Sequence, residues 1–446
     1  MELQSIATIA IFVVISALIA AERVPRTIAA LAGAVLVLLI GGLPQQDALH
    51  GNPSAGIGGV DWNTILLLIG MMIIVNVTRK TGMFEWVAIR TTKLAGGYPV
   101  SVMVLLAALT AVLSAFLDNV TTVIMFAPLA ILIYERLQCN PVPSLIAIIC
   151  AANIGGAATL IGDPPNIVIA SAAGLTFMDF LSVNAPVAVF CLLGCVAAFA
   201  LRYRRAFAIS DQLRSRLMQF DEAGAIADRP LLHRCLVVIG LTLLGFTLHG
   251  ALHLEPATIA LAGATLMLVL HTEGLEEALK EVEWSTIFFF IGLFIMVAGL
   301  CRTGVFDYLS EGLVSITEGN PLWMALVLLW ASAVLAAFLN NVAFTVMAVP
   351  LVQSLAIGLH PDMSVATAGA VYHAADVLPL WWALSLGACF GGIATYMGSA
   401  ANLIVVGVAE SSHHRLPVTR YLQWSIPTTA LSLAACSLWL WLLFFR

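Results

Sequence analysis

Apolar segments long enough to cross a bilayer follow one another along almost the whole chain. Of its 446 residues, 61% are hydrophobic and 10% are charged, and the mean hydropathy is +1.02. A soluble domain carries about 25% charged residues, whereas a membrane-spanning helix needs about 20 apolar residues. The sequence therefore predicts an all-α polytopic membrane protein embedded in a lipid bilayer. A formal net charge of -6 gives no sign of a nucleic-acid-binding surface.

The first apolar run, from Ile6 to Ala20, has the length of a signal-peptide core. No basic residue precedes it, and the second half of the chain supplies a matching segment. We therefore expect this run to be retained as a membrane span.

The chain contains two related halves. The segment FLDNVTTVIMFAPL, from Phe116, is similar to FLNNVAFTVMAVPL, from Phe338. The segment NIGGAATLIGDPPNIVI, from Asn153, is similar to CFGGIATYMGSAANLIV, from Cys389. Such matches, in the same order, predict an internal repeat. The predicted boundaries are 1–201 for the first repeat, 202–234 for a cytoplasmic linker and 235–446 for the second repeat.

Each repeat is predicted to contain about five full crossings, a helical hairpin and an interrupted helix. Paired glycines and prolines at membrane depth break a helix, and such breaks are tolerated only where they line a cavity. The hairpins are predicted near 100–134 and 322–357, and the interrupted helices near 144–173 and 381–409. If the hairpins re-enter the membrane, their tips lie near its midplane; if their arms cross fully, the tips are loops. The sequence leaves both alternatives open.

The distribution of basic residues predicts the orientation. An odd number of crossings in each half inverts the second half relative to the first. With the linker in the cytoplasm, only Arg302 and Arg446 of the 19 basic residues fall outside. This pattern predicts inverted repeats with both termini outside, in a bacterial inner membrane. Inverted repeats with broken helices that meet at the midplane are typical of secondary transporters.

Two acids are predicted at membrane depth, in the first half only. A carboxylate there is costly and is usually functional, although Asp118 and Asp163 could also serve as helix N-caps. Their counterparts in the second half are Asn340 and Ser399. This asymmetry predicts one coupling-ion locus, for H+ or Na+, with no other cofactor and no bound metal.

These motifs resemble the ion transporter superfamily, in the branch of ArsB-type arsenite permeases, NhaD-type sodium/proton antiporters and the melanosomal P protein. The resemblance implies a scaffold domain and a transport domain, with a substrate site between hairpin tips and unwound helix segments. Where the family often has GGN, this chain has Gly391-Gly392-Ile393, so one amide of the site is missing. The motif residues and the resemblance together predict these binding residues: Asp118, Asn119, Thr121, Thr122, Asn153, Thr159, Asp163, Asn166, Asn340, Asn341, Thr395, Ser399 and Asn402.

The predicted spans contain no Lys or Arg, and an amide- and hydroxyl-lined wall suits a neutral trihydroxide. The sequence therefore favours proton-coupled efflux of arsenite or antimonite by an elevator-like alternating-access mechanism. The same residues would also suit a Na+/H+ antiporter or a small-anion permease. The sequence leaves a homodimer open.

A different class of function is a channel or an intramembrane enzyme that uses His249 and His253. Together with Glu255, these residues have a helical spacing that could suit a metal. They lie at the predicted edge of a span, so we expect no metal there, and inverted symmetry argues against the enzyme. We also expect Trp381 and Trp382 to be interfacial anchors.

Overall fold

The structure, a computed structural model, describes residues 2–21, 23–52, 58–204, 224–271, 274–360 and 368–446. Their regular structure is helical, and nine helices are long and apolar enough to cross a membrane. The predicted all-α polytopic fold is confirmed. Residues 205–223, which make up most of the predicted linker, lie outside the described residues.

The two halves present their helices in the same order. The first half contains α1 (Glu2–Ala20), α2 (Arg26–Leu39), α3 (Gln45–His50), α4 (Trp62–Arg79), α5 (Met83–Leu94), α6 (Pro99–Ser114), α7 (Asn119–Arg136), α8 (Val142–Gly156), α9 (Pro164–Ala173) and α10 (Phe177–Tyr203). The second half contains α11 (Arg229–Leu252), α12 (Pro256–Leu270), α13 (Leu275–Lys280), α14 (Trp284–Cys301), α15 (Val305–Ile316), α16 (Pro321–Leu339), α17 (Asn341–Leu359), α18 (Ala368–Tyr372), α19 (Leu378–Gly391), α20 (Ala400–Ser411) and α21 (Val418–Phe444). The short helix α18 has no counterpart in the first half.

The helices pack into two groups, each built from both halves. In the scaffold group, which comprises α1, α2, α4, α11, α12 and α14, helix α4 packs along α12 and α2 packs along α14. In the hairpin group, which comprises α6 to α10, α16, α17 and α19 to α21, the α6–α7 hairpin contacts α8 and α20, and the α16–α17 hairpin contacts α19 and α9. This pairing is the same when the halves are exchanged, as a pseudo-twofold arrangement requires.

Each hairpin lies against the interrupted helix of its own half. A Cβ atom at Gly155 of α8 would lie 2.1 Å from the Ala111 carbonyl oxygen of α6, and one at Gly391 of α19 would lie 2.4 Å from the Ala333 carbonyl oxygen of α16. Only glycine permits such a close approach of two backbones. The paired glycines thus let each hairpin pack directly onto the helix arm beside it.

Each hairpin lies along the second arm of the interrupted helix of the other half. Tyr134 near the end of α7 donates a hydrogen bond to the Pro99 carbonyl at the start of α6, 2.6 Å, which closes the base of the first hairpin. Helix α20 runs along α7 to the same base, where His414 Nε2 lies 2.9 Å from Glu135 Oε1. Helices α9 and α17 start together and line one pocket along their lengths. The orientation of the halves across the membrane stays a prediction.

The prediction for the two tryptophans of α19 is wrong. Trp381 and Trp382 are 0% and 1% exposed and lie inside the hairpin group. The ring of Phe180 in α10 packs edge-on against Trp382 at 5.0 Å. Because α19 is the central arm of the second half and nearly all its residues are buried, its aromatic side chains fill the core.

Candidate functional site

Four helices begin around one small cavity, which we call the central cavity. Its walls include the first residues of α7, α9, α17 and α20, and its volume is about 40 Å³. The free N–H groups of a helix start carry partial positive charge and favour anions. Two of these helices, α7 and α17, begin at the hairpin tips, and the other two, α9 and α20, are the second arms of the interrupted helices. The predicted hairpin tips and helix breaks therefore meet at this cavity.

Asp118 at the first tip is both a helix cap and a wall of the central cavity. Its Oδ1 accepts a hydrogen bond from the Thr121 backbone N–H at 2.8 Å, and its Oδ2 accepts one from the Thr121 hydroxyl. The Thr122 hydroxyl donates to the Asp118 carbonyl at 2.9 Å. The N-cap alternative is therefore correct for this acid, and the two threonines serve the cap. Its carboxyl group still lines the cavity.

Asp163 at the first break is the more unusual acid. It is 1% exposed and makes no side-chain cap for α9. Its Oδ2 accepts a hydrogen bond from Asn341 Nδ2 at 3.0 Å, which joins the first break to the second hairpin tip. Among the described residues, Asp163 Oδ1 and the nearby Asn119 Nδ2 have no hydrogen-bond partner of good geometry. Leaving a buried polar atom unpaired costs about 1–3 kcal/mol. The carboxyl oxygen is therefore suited to a proton or a cation, and the amide N–H groups are suited to an acceptor atom of a ligand.

Ser399 takes the place of Asp163 at the second break. It is 1% exposed and lines the same cavity at the start of α20. A hydroxyl cannot carry the charge of a carboxylate, so of the two breaks only the first presents an acid to the cavity.

The asparagines Asn166 and Asn402 hold the breaks in shape and lie behind the cavity wall. Asn166 Nδ2 donates to the Thr159 carbonyl at 2.8 Å. Asn402 Nδ2 donates to the Thr395 carbonyl at 2.8 Å and to the Gly392 carbonyl at 2.7 Å. These bonds satisfy carbonyls that the broken helix leaves unpaired.

One threonine in each break fastens it to a hairpin tip. The Thr159 hydroxyl donates to the Ala115 carbonyl, and the Thr395 hydroxyl donates to the Ala337 carbonyl. Each tip is thus held against its own break inside the protein. Neither hydroxyl lines the central cavity.

The two interrupted helices are also bonded to each other. Asn153 Nδ2 donates to Asn402 Oδ1 at 2.9 Å. At the equivalent place, Ser385 Oγ donates to Asn166 Oδ1 at 2.7 Å, with Cys389 Sγ at 3.4 Å. Cys389 therefore stands where the first half has Asn153. This contact is structural, and it places Asn153 away from the central cavity.

Three polar residues of the cavity were missed by sequence reasoning, and all three belong to the scaffold group. Arg26, Glu283 and Thr286 face the hairpin tips across the cavity. The Arg26 guanidinium lies 5.4 Å from the ring centre of Phe289. The expected wall without Lys or Arg is therefore wrong. Arg26 lies just outside the predicted second span, but it is the first residue of α2 and lines the cavity. The position of Arg26 directly before a predicted span could have indicated a role at the cavity, but it was used only to predict the orientation.

A larger pocket of about 410 Å³, which we call the vestibule, lies beside the central cavity and shares Arg26 and Ala400 with it. Asn340, predicted as a binding residue, lines the vestibule and caps α17 through its Oδ1, which accepts from the Val342 N–H at 3.1 Å. Of the predicted residues, the central cavity thus collects these five: Asp118, Asn119, Asp163, Asn341 and Ser399.

His249 has a structural role at the end of α11. The Phe177 backbone N–H donates to its Nε2 at 3.0 Å, and its Nδ1 lies 3.2 Å from the Leu254 carbonyl. Both ring nitrogens are therefore occupied by the backbone, which leaves none for a metal. His253 is the C-cap of the same helix.

Comparison with known proteins identifies the family. The model of the CitMHS family, described as "Citrate transporter", matches residues 16–387. The chain belongs to this family. It is 38% identical to an uncharacterised transporter of Mycobacterium bovis over 442 residues, 99% of both chains. It is 29% identical to the P protein of Mus musculus over 512 residues, which cover 97% of this chain and 59% of that protein.

Solved structures share the fold of this CitMHS protein. The YdaH transporter of Alcanivorax borkumensis has a TM-score of 0.53 at 15% identity and covers 85% of each chain. The MtrF antimetabolite efflux pump of Neisseria gonorrhoeae has a TM-score of 0.52 at 13% identity and covers 86% of this chain and 81% of its own. The predicted resemblance to the ion transporter superfamily is confirmed. The chain is a secondary membrane transporter and not an enzyme.

Proposed function

We propose that this protein transports a small organic anion, of the di- or tricarboxylate class, together with protons or Na+. The observation that carries the proposal is the meeting of four helix N-termini and Arg26 at one cavity. Helix starts and guanidinium groups are the protein groups that best bind carboxylates. The citrate named in the family description supports the same class of substrate.

Charge balance explains why such transport would be coupled. Each helix start contributes roughly +0.5 of an elementary charge, so four contribute about +2, and Arg26 adds one more. Three carboxyl groups, those of Asp118, Asp163 and Glu283, oppose them when ionised. With the three acids ionised the two sets cancel, so the cavity has no net positive charge for a multiply charged anion until protons or cations neutralise the acids. Binding of the anion therefore favours the binding of the coupling ion, which is the thermodynamic requirement for symport.

Asp163 is the proposed coupling residue. One of its oxygens is unpaired among the described residues, and its other oxygen is bonded to the second hairpin tip. Protonation or cation binding at this carboxyl group would thus act at the junction of the two halves. Asp118, whose carboxylate is already occupied by Thr121, is better suited to shaping the tip.

The two cavities suit a stepwise entry of substrate. A central cavity of about 40 Å³ has room for an ion or a few waters, whereas the vestibule of about 410 Å³ has room for a small carboxylate. We propose that the anion enters through the vestibule and reaches the helix starts past Arg26. Positive-inside reasoning assigns the vestibule to the cytoplasmic side, because it includes the α1–α2 loop.

Efflux of arsenite or antimonite is the competing hypothesis. Its main argument was a wall without basic residues, and Arg26 removes that argument. The amides and hydroxyls around the cavity still suit a neutral trihydroxide. Acidified everted vesicles would accumulate arsenite under this hypothesis, and a Na+/H+ antiporter would accumulate Na+ instead.

Purified protein in proteoliposomes separates these functions. Radiolabelled citrate, succinate, arsenite and Na+ are offered singly under an imposed pH or Na+ gradient, with protein-free liposomes as control. We expect saturable uptake of a carboxylate driven by the gradient of the coupling ion. Gradient-driven arsenite or Na+ movement without carboxylate uptake would overturn the proposal, and unsaturable flux would indicate a channel.

A further inference from the structure

The scaffold group places two opposite charges against the hairpin tips, on the other side of the central cavity. Arg26 is the first residue of α2, and Glu283 is the N-cap residue of α14. The Thr27 hydroxyl donates to the Ser285 carbonyl at 2.8 Å, which fixes the two helix starts to each other. The pair therefore belongs to one rigid surface, and it faces the tip residue Asp118 across the central cavity.

Glu283 lines the cavity together with Arg26 and Asp118. Burial disfavours its carboxylate form most, the charge of Asp118 also opposes it, and the charge of Arg26 stabilises it. Its Oε2 accepts a hydrogen bond from the Thr286 hydroxyl at 3.0 Å. Asp163 lines the same cavity, so three carboxyl groups share this cavity with the guanidinium group of Arg26.

The equivalent place in the other half has no such pair. Asp61 occupies the position of Glu283, but its carboxylate is used as a helix cap, with bonds from the Asn63 and Thr64 N–H groups and the Thr64 hydroxyl. Ala257 occupies the position of Arg26. Arg26 and Glu283 thus occur together at only one of the two equivalent places, beside the cavity that contains Asp118 and Asp163. This asymmetry indicates a role in substrate binding and not in the architecture that the two halves share.

We propose that Arg26 is the residue that selects anions and that Glu283 is the counter-charge which the substrate displaces. In the empty transporter Glu283 balances Arg26, and an arriving carboxylate replaces it. The proposal rests on carboxylate transport as proposed above, and it assigns specificity to the scaffold group, outside the repeated motifs.

The test measures the kinetics of citrate and succinate uptake in proteoliposomes for the wild-type chain and five variants. Arg26→Gln should lower kcat/KM by about 10- to 100-fold, the loss of one charge-assisted bond, mainly through KM. Arg26→Lys should recover most of this loss, which a purely structural role would not predict. Arg23→Gln, which changes an exposed arginine nearby, is the matched control.

Glu283→Gln gives the sharper result, because it should improve binding. Removal of the competing carboxylate should lower KM for citrate by about 3- to 10-fold, with Glu276→Gln as the control for an exposed glutamate. Unchanged KM in Arg26→Gln, or a raised KM in Glu283→Gln, would overturn the inference while carboxylate transport by the wild-type protein stands. Absence of carboxylate uptake by the wild-type protein would overturn both proposals.

Discussion

The two interrupted helices are built alike but carry different charges. In both, an asparagine holds the carbonyls of the break, Asn166 in the first and Asn402 in the second, and a threonine fastens the break to a hairpin tip. The first break then adds Asp163, whereas the second has Ser399. The shared residues maintain the shape of the site, and the residues that differ point to its chemistry. A comparison of equivalent substitutions in the two halves can therefore separate shape from coupling.

The largest difference is expected between Asp163→Asn and Ser399→Ala. The first removes the proposed coupling carboxyl group and should reduce gradient-driven uptake by about 100-fold or more, as typically follows loss of a proton-exchanging group. The second removes only a hydroxyl and should cost less than about fivefold. Initial rates in proteoliposomes, normalised to the amount of protein inserted, check both. Full activity of Asp163→Asn, with normal expression, would refute the coupling role.

The shape-holding residues should behave equally in the two halves. Asn166→Ala and Asn402→Ala each leave buried carbonyls without donors and should lower stability by about 1–3 kcal/mol. Thermal denaturation of the purified protein in detergent measures this. A large loss in one half only would mean that the breaks are not equivalent in structure.

Equal losses of stability in the two halves, smaller than those of the asparagine variants, are expected for the glycines that let each hairpin approach its helix arm. A methyl group at Gly155 or Gly391 would overlap the carbonyl oxygen of Ala111 or Ala333. Overpacking of this kind costs about 1–3 kcal/mol, partly relieved by a shift of the hairpin. Lower melting temperatures in both alanine variants are expected. A neutral result in either one would show that its hairpin is not tightly packed against the arm.

The smallest effect is expected at Asn153, because the equivalent position in the second half is already a cysteine, Cys389. Asn153→Cys converts the first-half contact with Asn402 into the type that Cys389 makes with Asn166. A thiol is a weak donor, so the loss should be less than about 1 kcal/mol. Asn153→Ala serves as the reference. A strong effect on transport in Asn153→Cys would mean that this amide contacts the substrate after all.

The repeat and its elements could be predicted from the sequence because the residues that interrupt a helix act on the backbone next to them. Paired glycines, prolines and asparagines in apolar sequence identify the hairpins and the interrupted helices wherever they fold. The sequence could not decide between re-entrant and crossing arms, since an arm of either kind needs a similar length. The buried bond from Thr159 to the Ala115 carbonyl fixes the tip against the break inside the protein, and re-entry of the arms stays a prediction.

The candidate site could be predicted only in part. Asp118, Asp163 and Ser399 reach the central cavity, whereas Asn153, Asn166 and Asn402 resemble binding residues in sequence but support the breaks. A polar group at membrane depth must be satisfied either by a ligand or by the backbone, and the sequence does not distinguish the two. Arg26 and Glu283 lie in the scaffold group, so their approach to the cavity depends on tertiary packing.

The proton movement that accompanies citrate transport tests the central claim most directly. Proteoliposomes with the wild-type protein and the Asp163→Asn variant are given external citrate in a weakly buffered medium, and the external pH and citrate uptake are recorded together. Where the coupling ion is H+, the account predicts alkalinisation of the medium by the wild-type protein, and citrate exchange without proton movement by the variant. The Na+ case is measured in the same way with labelled Na+. Equal movement of the coupling ion in both proteins would contradict the account.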